Sequence, residues 1–91
     1  MMDDPTLPCL ACGKPMVNAI DKVENQPSFG VVCHTYGNYG STVWDSLDGR
    51  NHLEFNVCDD CLTKAGQTGR VMHVELEGKN YPTENRELWT P

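Results

Sequence analysis

Three stretches of the chain alternate apolar and polar residues, and each reads as a strand. In Ser28–Tyr36, Phe29, Val31 and Cys33 fall on one face while Gly30, Val32 and His34 fall on the other. Leu53, Phe55 and Val57 alternate with His52, Glu54 and Asn56, the pattern of a half-buried strand whose second set faces solvent. Met72, Val74 and Leu76 alternate with His73 and Glu75 and give a last strand. A further strand is predicted over Ser41–Leu47. It is entered by the glycine-rich reversal Tyr36-Gly37-Asn38-Tyr39-Gly40 and followed by the turn signal Asp48-Gly49. Residues 16–23 have strand-like content but no clean alternation.

Between the second and last of these runs, Cys58–Gly66 predicts a short helix. Asp59 and Asp60 sit in its first turn, where carboxylates complement the helix dipole. Lys64 falls late and Gly66 is the expected stop. Residues 1–8, with Pro5 and Pro8, read as a flexible lead. Residues 78–91 read as a polar tail whose available anchors are Tyr81, Leu88 and Trp89. No repeat or low-complexity segment interrupts the pattern, so residues 1–91 are expected to form a single domain.

With 91 residues, 38% of them apolar, the core is thin and needs reinforcement. The cysteines supply the means. Cys9/Cys12 and Cys58/Cys61 form two C-x-x-C pairs, and Cys33 stands alone. Two C-x-x-C turns can surround one ion with four sulfurs at about 2.3 Å and leave no position for water or substrate, which makes a structural site. One structural zinc ion on Cys9, Cys12, Cys58 and Cys61 is therefore expected. Iron suits the same thiolates.

Disulfides are disfavoured because the acidic N-terminus lacks the layout of an export signal, which sets a cytoplasmic expectation. No apolar run is long enough to cross a bilayer. Cys33, on the face of Phe29 and Val31, is expected in the core. His34 could replace one thiolate in a Cys₃His site, but four cysteines already suffice.

The order of knuckle, hairpin and helix-borne second pair resembles the treble-clef and zinc-ribbon group. Cys9–Lys14 (C-x-x-C-G-K) and Cys58–Cys61 are similar to the cysteine knuckles of the N-terminal zinc-binding domain of ClpX unfoldases. The resemblance covers the two ligand segments only and departs in the long stretch between them. It implies an α+β domain with an antiparallel sheet and one short helix, a scaffold that docks proteins. Thr35–Leu47 and Asn56–Leu62 also resemble segments of small uncharacterised phage and bacterial proteins.

Charge bears on the partner. The formal net charge is −6; four thiolates would add −4 and a divalent ion +2, leaving about −8. The seven basic residues are scattered, so nucleic acid is disfavoured, since gripping a phosphate backbone takes clustered Lys and Arg. The expected function is non-enzymatic: a zinc-stabilised protein-interaction module, adaptor or inhibitor of a larger protein, with a phage-encoded effector acting on a host protein as one form of it. Tyr36, Tyr39, Trp44 and Trp89 are its candidate contact residues. Homo-oligomerisation stays open. The alternative is a nucleic-acid-binding zinc ribbon of a transcription or replication complex.

An enzyme ranks third. His73-Val74-Glu75 (H-x-E) and Pro8-Cys9-Leu10-Ala11-Cys12 (P-C-x-x-C) are pieces of the zinc deaminase pattern. Their order is reversed, however, and Cys58 and Cys61 would go unused.

Overall fold

The computed structural model describes residues 6–46, 49–81 and 83–91. The start of the expected lead, Leu47 at the end of the expected Ser41–Leu47 strand and Asp48 of the turn signal lie outside the described residues. The element order is β1 (Gly30–Thr35), β2 (Leu53–Cys58), α1 (Asp59–Gln67), β3 (Met72–Glu77) and β4 (Thr83–Leu88). The chain is α+β, as the sequence implies. Its strands form two separate antiparallel pairs, β1 with β2 and β3 with β4, rather than one sheet. Cα packing groups the chain into two compact units, Met1–Asp59 and Asp60–Pro91.

In the first unit, β1 and β2 pair from Gly30↔Cys58 to Thr35↔Leu53. Both were legible from their alternation, but two faces differ from expectation. Phe29 does not share a face with Val31 and Cys33. It precedes β1 with φ 60°, outside extended backbone, and its side chain is 80% exposed. Asn56, expected toward solvent, is fully buried. Its burial is tolerated because every polar atom is matched. Asn56 Nδ2 donates to Asn25 Oδ1 (2.6 Å) and to the Leu7 carbonyl (2.9 Å), and Asn25 Nδ2 donates back to Asn56 Oδ1 (3.0 Å). The Leu7 N–H closes the network on Asn25 Oδ1 at 3.1 Å. A buried amide left unpaired would cost about 1–3 kcal/mol.

Two connections replace elements that the sequence suggested. Residues 16–23 do not form a strand. Asn18 accepts the Gln26 N–H at 2.7 Å and donates to the Ile20 and Val23 carbonyls, pinning a reversal in which Lys22 and Asn25 take positive φ. Nor does the stretch from Ser41 form a strand: its pairing is the isolated bridge Gly37↔Asp45. Ser41 Oγ accepts the N–H groups of Val43 (3.1 Å) and Trp44 (2.9 Å), so local turn bonds take the donors a ladder would need. Gly37 is required there. It sits at φ 103°, and a Cβ there would collide with the Asp45 Cα and the Trp44 carbonyl.

In the second unit the helix runs one residue past Gly66. It ends in a Schellman closure: the Arg70 N–H donates to the Ala65 carbonyl (2.9 Å) and the Gly69 N–H to the Gly66 carbonyl (3.4 Å), with Gly69 at φ 72°. β3 matches its predicted run, whereas its partner β4 falls within the predicted polar tail. Thr83-Glu84-Asn85-Arg86-Glu87-Leu88 has no apolar period, and every described position of both strands is exposed, so only backbone pairing defines it. Of the expected tail anchors, Tyr81 (90% exposed) and Leu88 (60% exposed) are not buried, whereas Trp89 is half-buried against α1.

Gly66 makes room for that indole. A Cβ at Gly66 would lie 2.7 Å from Trp89 Cζ3 and 2.9 Å from Pro91 Cδ. Gly66→Ala should therefore destabilise the second unit despite the higher helix propensity of alanine. Overpacking typically costs about 1–3 kcal/mol. Chemical denaturation of the two proteins gives the difference, and equal midpoints would contradict the packing described.

Candidate metal centre

The first cysteine pair lies on a knuckle built by short-range backbone bonds. The Cys9 N–H donates to the Lys14 carbonyl (2.9 Å), and the Gly13 N–H donates to the Cys9 carbonyl (2.8 Å). Gly13 closes the turn at φ 76°, a conformation glycine adopts without a Cβ penalty. The Leu10 N–H donates to the Asn56 carbonyl (2.8 Å), which registers the knuckle against β2. Cys58 ends β2, and Cys61 follows in the first turn of α1.

This arrangement brings all four sulfurs together. Cys9, Cys12, Cys58 and Cys61 have ligand atoms within 4.8 Å of one another, and Cys12 Sγ lies 3.9 Å from Cys58 Sγ. A disulfide needs about 2.0 Å, and none of the five cysteines is in one. Sulfurs bound at about 2.3 Å to a tetrahedral ion stand about 3.8 Å apart. The cluster could therefore hold one metal ion, with a spacing that fits tetrathiolate coordination and the geometry of a zinc-ribbon-like site.

The electrostatics agree. The Cys58 backbone N–H, 3.3 Å from Cys9 Sγ, is the largest influence on the Cys9 thiol. Burial opposes it, the Cys12 and Ala11 amides reinforce it, and the result is a thiol brought down to about 6. Cys9 therefore has thiolate character at neutral pH, the form that binds metal.

The remaining candidates fall elsewhere. Cys33 is half-buried in β1, outside the cluster, and burial pushes its thiol up. His34 is not with the cysteines either. It lies with His52 and Glu54 on the exposed side of the β1–β2 pair. Glu54 carries a carboxyl held below its ordinary range, first by the hydrogen bond from Asn25 and then, against burial, by His34. His73 and Glu75 lie on β3 and belong to neither group of candidate metal-holding residues found among the described residues.

Of the aromatic residues, Tyr39 is 99% exposed. Tyr36 is half-exposed with its ring 5.3 Å from that of His52. Trp44 is half-buried and donates from Nε1 to the Thr35 carbonyl at 3.1 Å, so it holds its own loop. Trp89 packs on α1 in the second unit. Sequence reasoning missed Phe29, whose strand-like neighbours hid its turn conformation. It lines a groove of about 370 Å³ with Lys14, Pro15, Met16, Val17 and Ser28.

Because Cys33 stands apart from the four clustered sulfurs, Cys33→Ala should keep the full metal stoichiometry and cost about 1–2 kcal/mol in lost packing. Native mass spectrometry with a denaturation curve measures both, and metal loss in this variant would make Cys33 a ligand.

Neither a protein-family model, nor a curated protein, nor a solved structure matches this chain.

Proposed function

We propose that the chain is a non-enzymatic protein-interaction module held together by one structural zinc ion on Cys9, Cys12, Cys58 and Cys61, in a treble-clef or zinc-ribbon arrangement. The observation that carries this reading is the closed set of four sulfurs at tetrathiolate spacing. Four protein donors fill a tetrahedral ion and leave no position for a substrate. The order of knuckle, β1–β2 hairpin and helix-borne second pair supports the treble-clef form. Zinc is the ion assigned here, although the same four thiolates also suit iron.

A protein partner is favoured by charge and by exposed aromatic surface. A metallated chain near −8 with scattered Lys and Arg opposes a phosphate backbone. Phe29 and Tyr39 meanwhile present ring surface to solvent. Phe29 is also held at positive φ, strain that clusters at sites of function. Such a module acts as an adaptor or as an inhibitor of a larger protein.

Two experiments test the reading. Native mass spectrometry should find one zinc per chain, and Cys12→Ser or Cys61→Ser should abolish stable folding, because such sites supply about 10–16 kcal/mol in small zinc peptides. A wild-type chain that stays folded and metal-free in strong chelator would overturn the metal assignment.

For the partner, affinity capture should recover a protein whose binding weakens in Phe29→Ala or Tyr39→Ala by about 2 kcal/mol or more while zinc content is unchanged. Trp44→Ala is a poorer probe, since it also frees the Thr35 carbonyl. Salt-resistant, submicromolar binding of the purified chain to DNA or RNA would replace this reading with that of a nucleic-acid-binding zinc ribbon.

A further inference from the structure

His34 and Glu54 face each other directly across the β1–β2 ladder. His52 lies two residues before Glu54 and so projects to the same side. The three side chains converge: each offers a ligand atom, and these atoms lie within 4.8 Å of one another. His34 Nε2 donates to Glu54 Oε1 at 3.2 Å, and the His34 and His52 rings meet edge to face with centroids 4.8 Å apart. Direct strand neighbours commonly meet in this way. A third donor-bearing residue joining them, on a carboxylate already held in place, is a more specific arrangement.

Glu54 is positioned from behind. Its Oε2 accepts from Asn25 Nδ2 at 2.5 Å, and Asn25 is buried and locked to Asn56 by the reciprocal amide pair. The Oε1 atom is left facing His34. Fixing a ligating carboxylate through an outer hydrogen bond is a recurrent feature of metal sites and typically contributes 10–100-fold in affinity. The ring of Tyr36 lies 5.3 Å from that of His52.

We propose that His34, His52 and Glu54 form a second metal site, distinct from the four cysteines, for a divalent transition ion such as Zn²⁺. Two imidazoles and a carboxylate suit ions of this class, whereas Ca²⁺ and Mg²⁺ favour oxygen donors. Bonds of about 2.0–2.2 Å to a tetrahedral ion place N and O ligand atoms about 3.3–3.6 Å apart, which the observed convergence accommodates with small side-chain rotations. An ion entering between His34 and Glu54 takes the place of the proton they share. Three protein ligands leave at least one coordination position for water or an outside donor, unlike the closed cysteine set. The site lies wholly on the first unit and does not depend on the identity of any protein partner.

The test uses the full chain already carrying one zinc equivalent, titrated with further Zn²⁺ and followed by native mass spectrometry and calorimetry. A second ion should bind with a dissociation constant of about 1–100 µM. His34→Ala, His52→Ala and Glu54→Gln should each weaken that second ion by about 10-fold or more while retaining the first. These side chains are exposed, so retention of the first zinc and an unchanged amide NMR spectrum away from the sheet verify the fold. His73→Ala, on β3, should leave both ions in place. Histidine ring NMR signals of His34 and His52 should shift on addition of the second equivalent, and that of His73 should not. Absence of a second ion at millimolar zinc, or a second ion unaffected by all three substitutions, would overturn the proposal.

Discussion

Four sulfur atoms within 4.8 Å of one another are the constraint on which the knuckle and the end of β2 depend. The Cys58 amide draws the Cys9 thiol down to about 6, so negative charge gathers there at neutral pH. Further thiolates beside it would repel one another without a cation, and the 3.9 Å between the Cys12 and Cys58 sulfurs is close to the spacing around a tetrahedral ion and well beyond a disulfide bond. The knuckle brings two sulfurs to this point, the end of β2 one and the first turn of α1 one. The hydrogen bond from Cys9 to Lys14 closes the knuckle, and the one from Leu10 to Asn56 fixes it against β2.

Apolar burial contributes little beside this. Among the described residues the buried apolar side chains are Cys9 and Cys58, and the fully buried ones are Asn56 and Cys58. The valines and leucines among the described residues, which would fill a larger domain's interior, are half-buried or exposed. In their place stands the Asn25–Asn56 pair, with both amides satisfied by each other and by the backbone of Leu7. A network of this kind contributes geometry more than net energy, because each bond replaces one made to water. Its rigidity reaches the surface through Asn25, which holds the Glu54 carboxylate beside His34. Interior amides and exterior donor groups are thus parts of one connected arrangement.

What the chain could read out in its own sequence was local. Each C-x-x-C pair is four residues long, and tetrahedral coordination has few alternatives, so Cys9, Cys12, Cys58 and Cys61 could be named without coordinates. Period-two alternation disclosed β1, β2 and β3, and carboxylates followed by Lys64 disclosed α1. β4 escaped because Thr83–Leu88 carries no apolar period, whereas the equally exposed β3 keeps one in Met72, Val74 and Leu76. The strand expected over Ser41–Leu47, between a glycine-rich reversal and a turn signal, does not form over its described residues, where local bonds to Ser41 Oγ take the donors.

The sequence by itself determined the sulfur chemistry, the strand periods and the acidic charge, since these depend on residue type and short spacing. Only the tertiary structure decided that Asn56 turns inward, because its partner Asn25 lies 31 residues away. It also decided that Phe29 turns outward, through a positive φ set by the turn entering β1. Gly66 became a seat for Trp89 rather than a helix stop, because Gly69 could close the helix and the indole needed the space. His34, His52 and Glu54 came together for the same kind of reason: cross-strand register joins residues that sequence separation keeps apart.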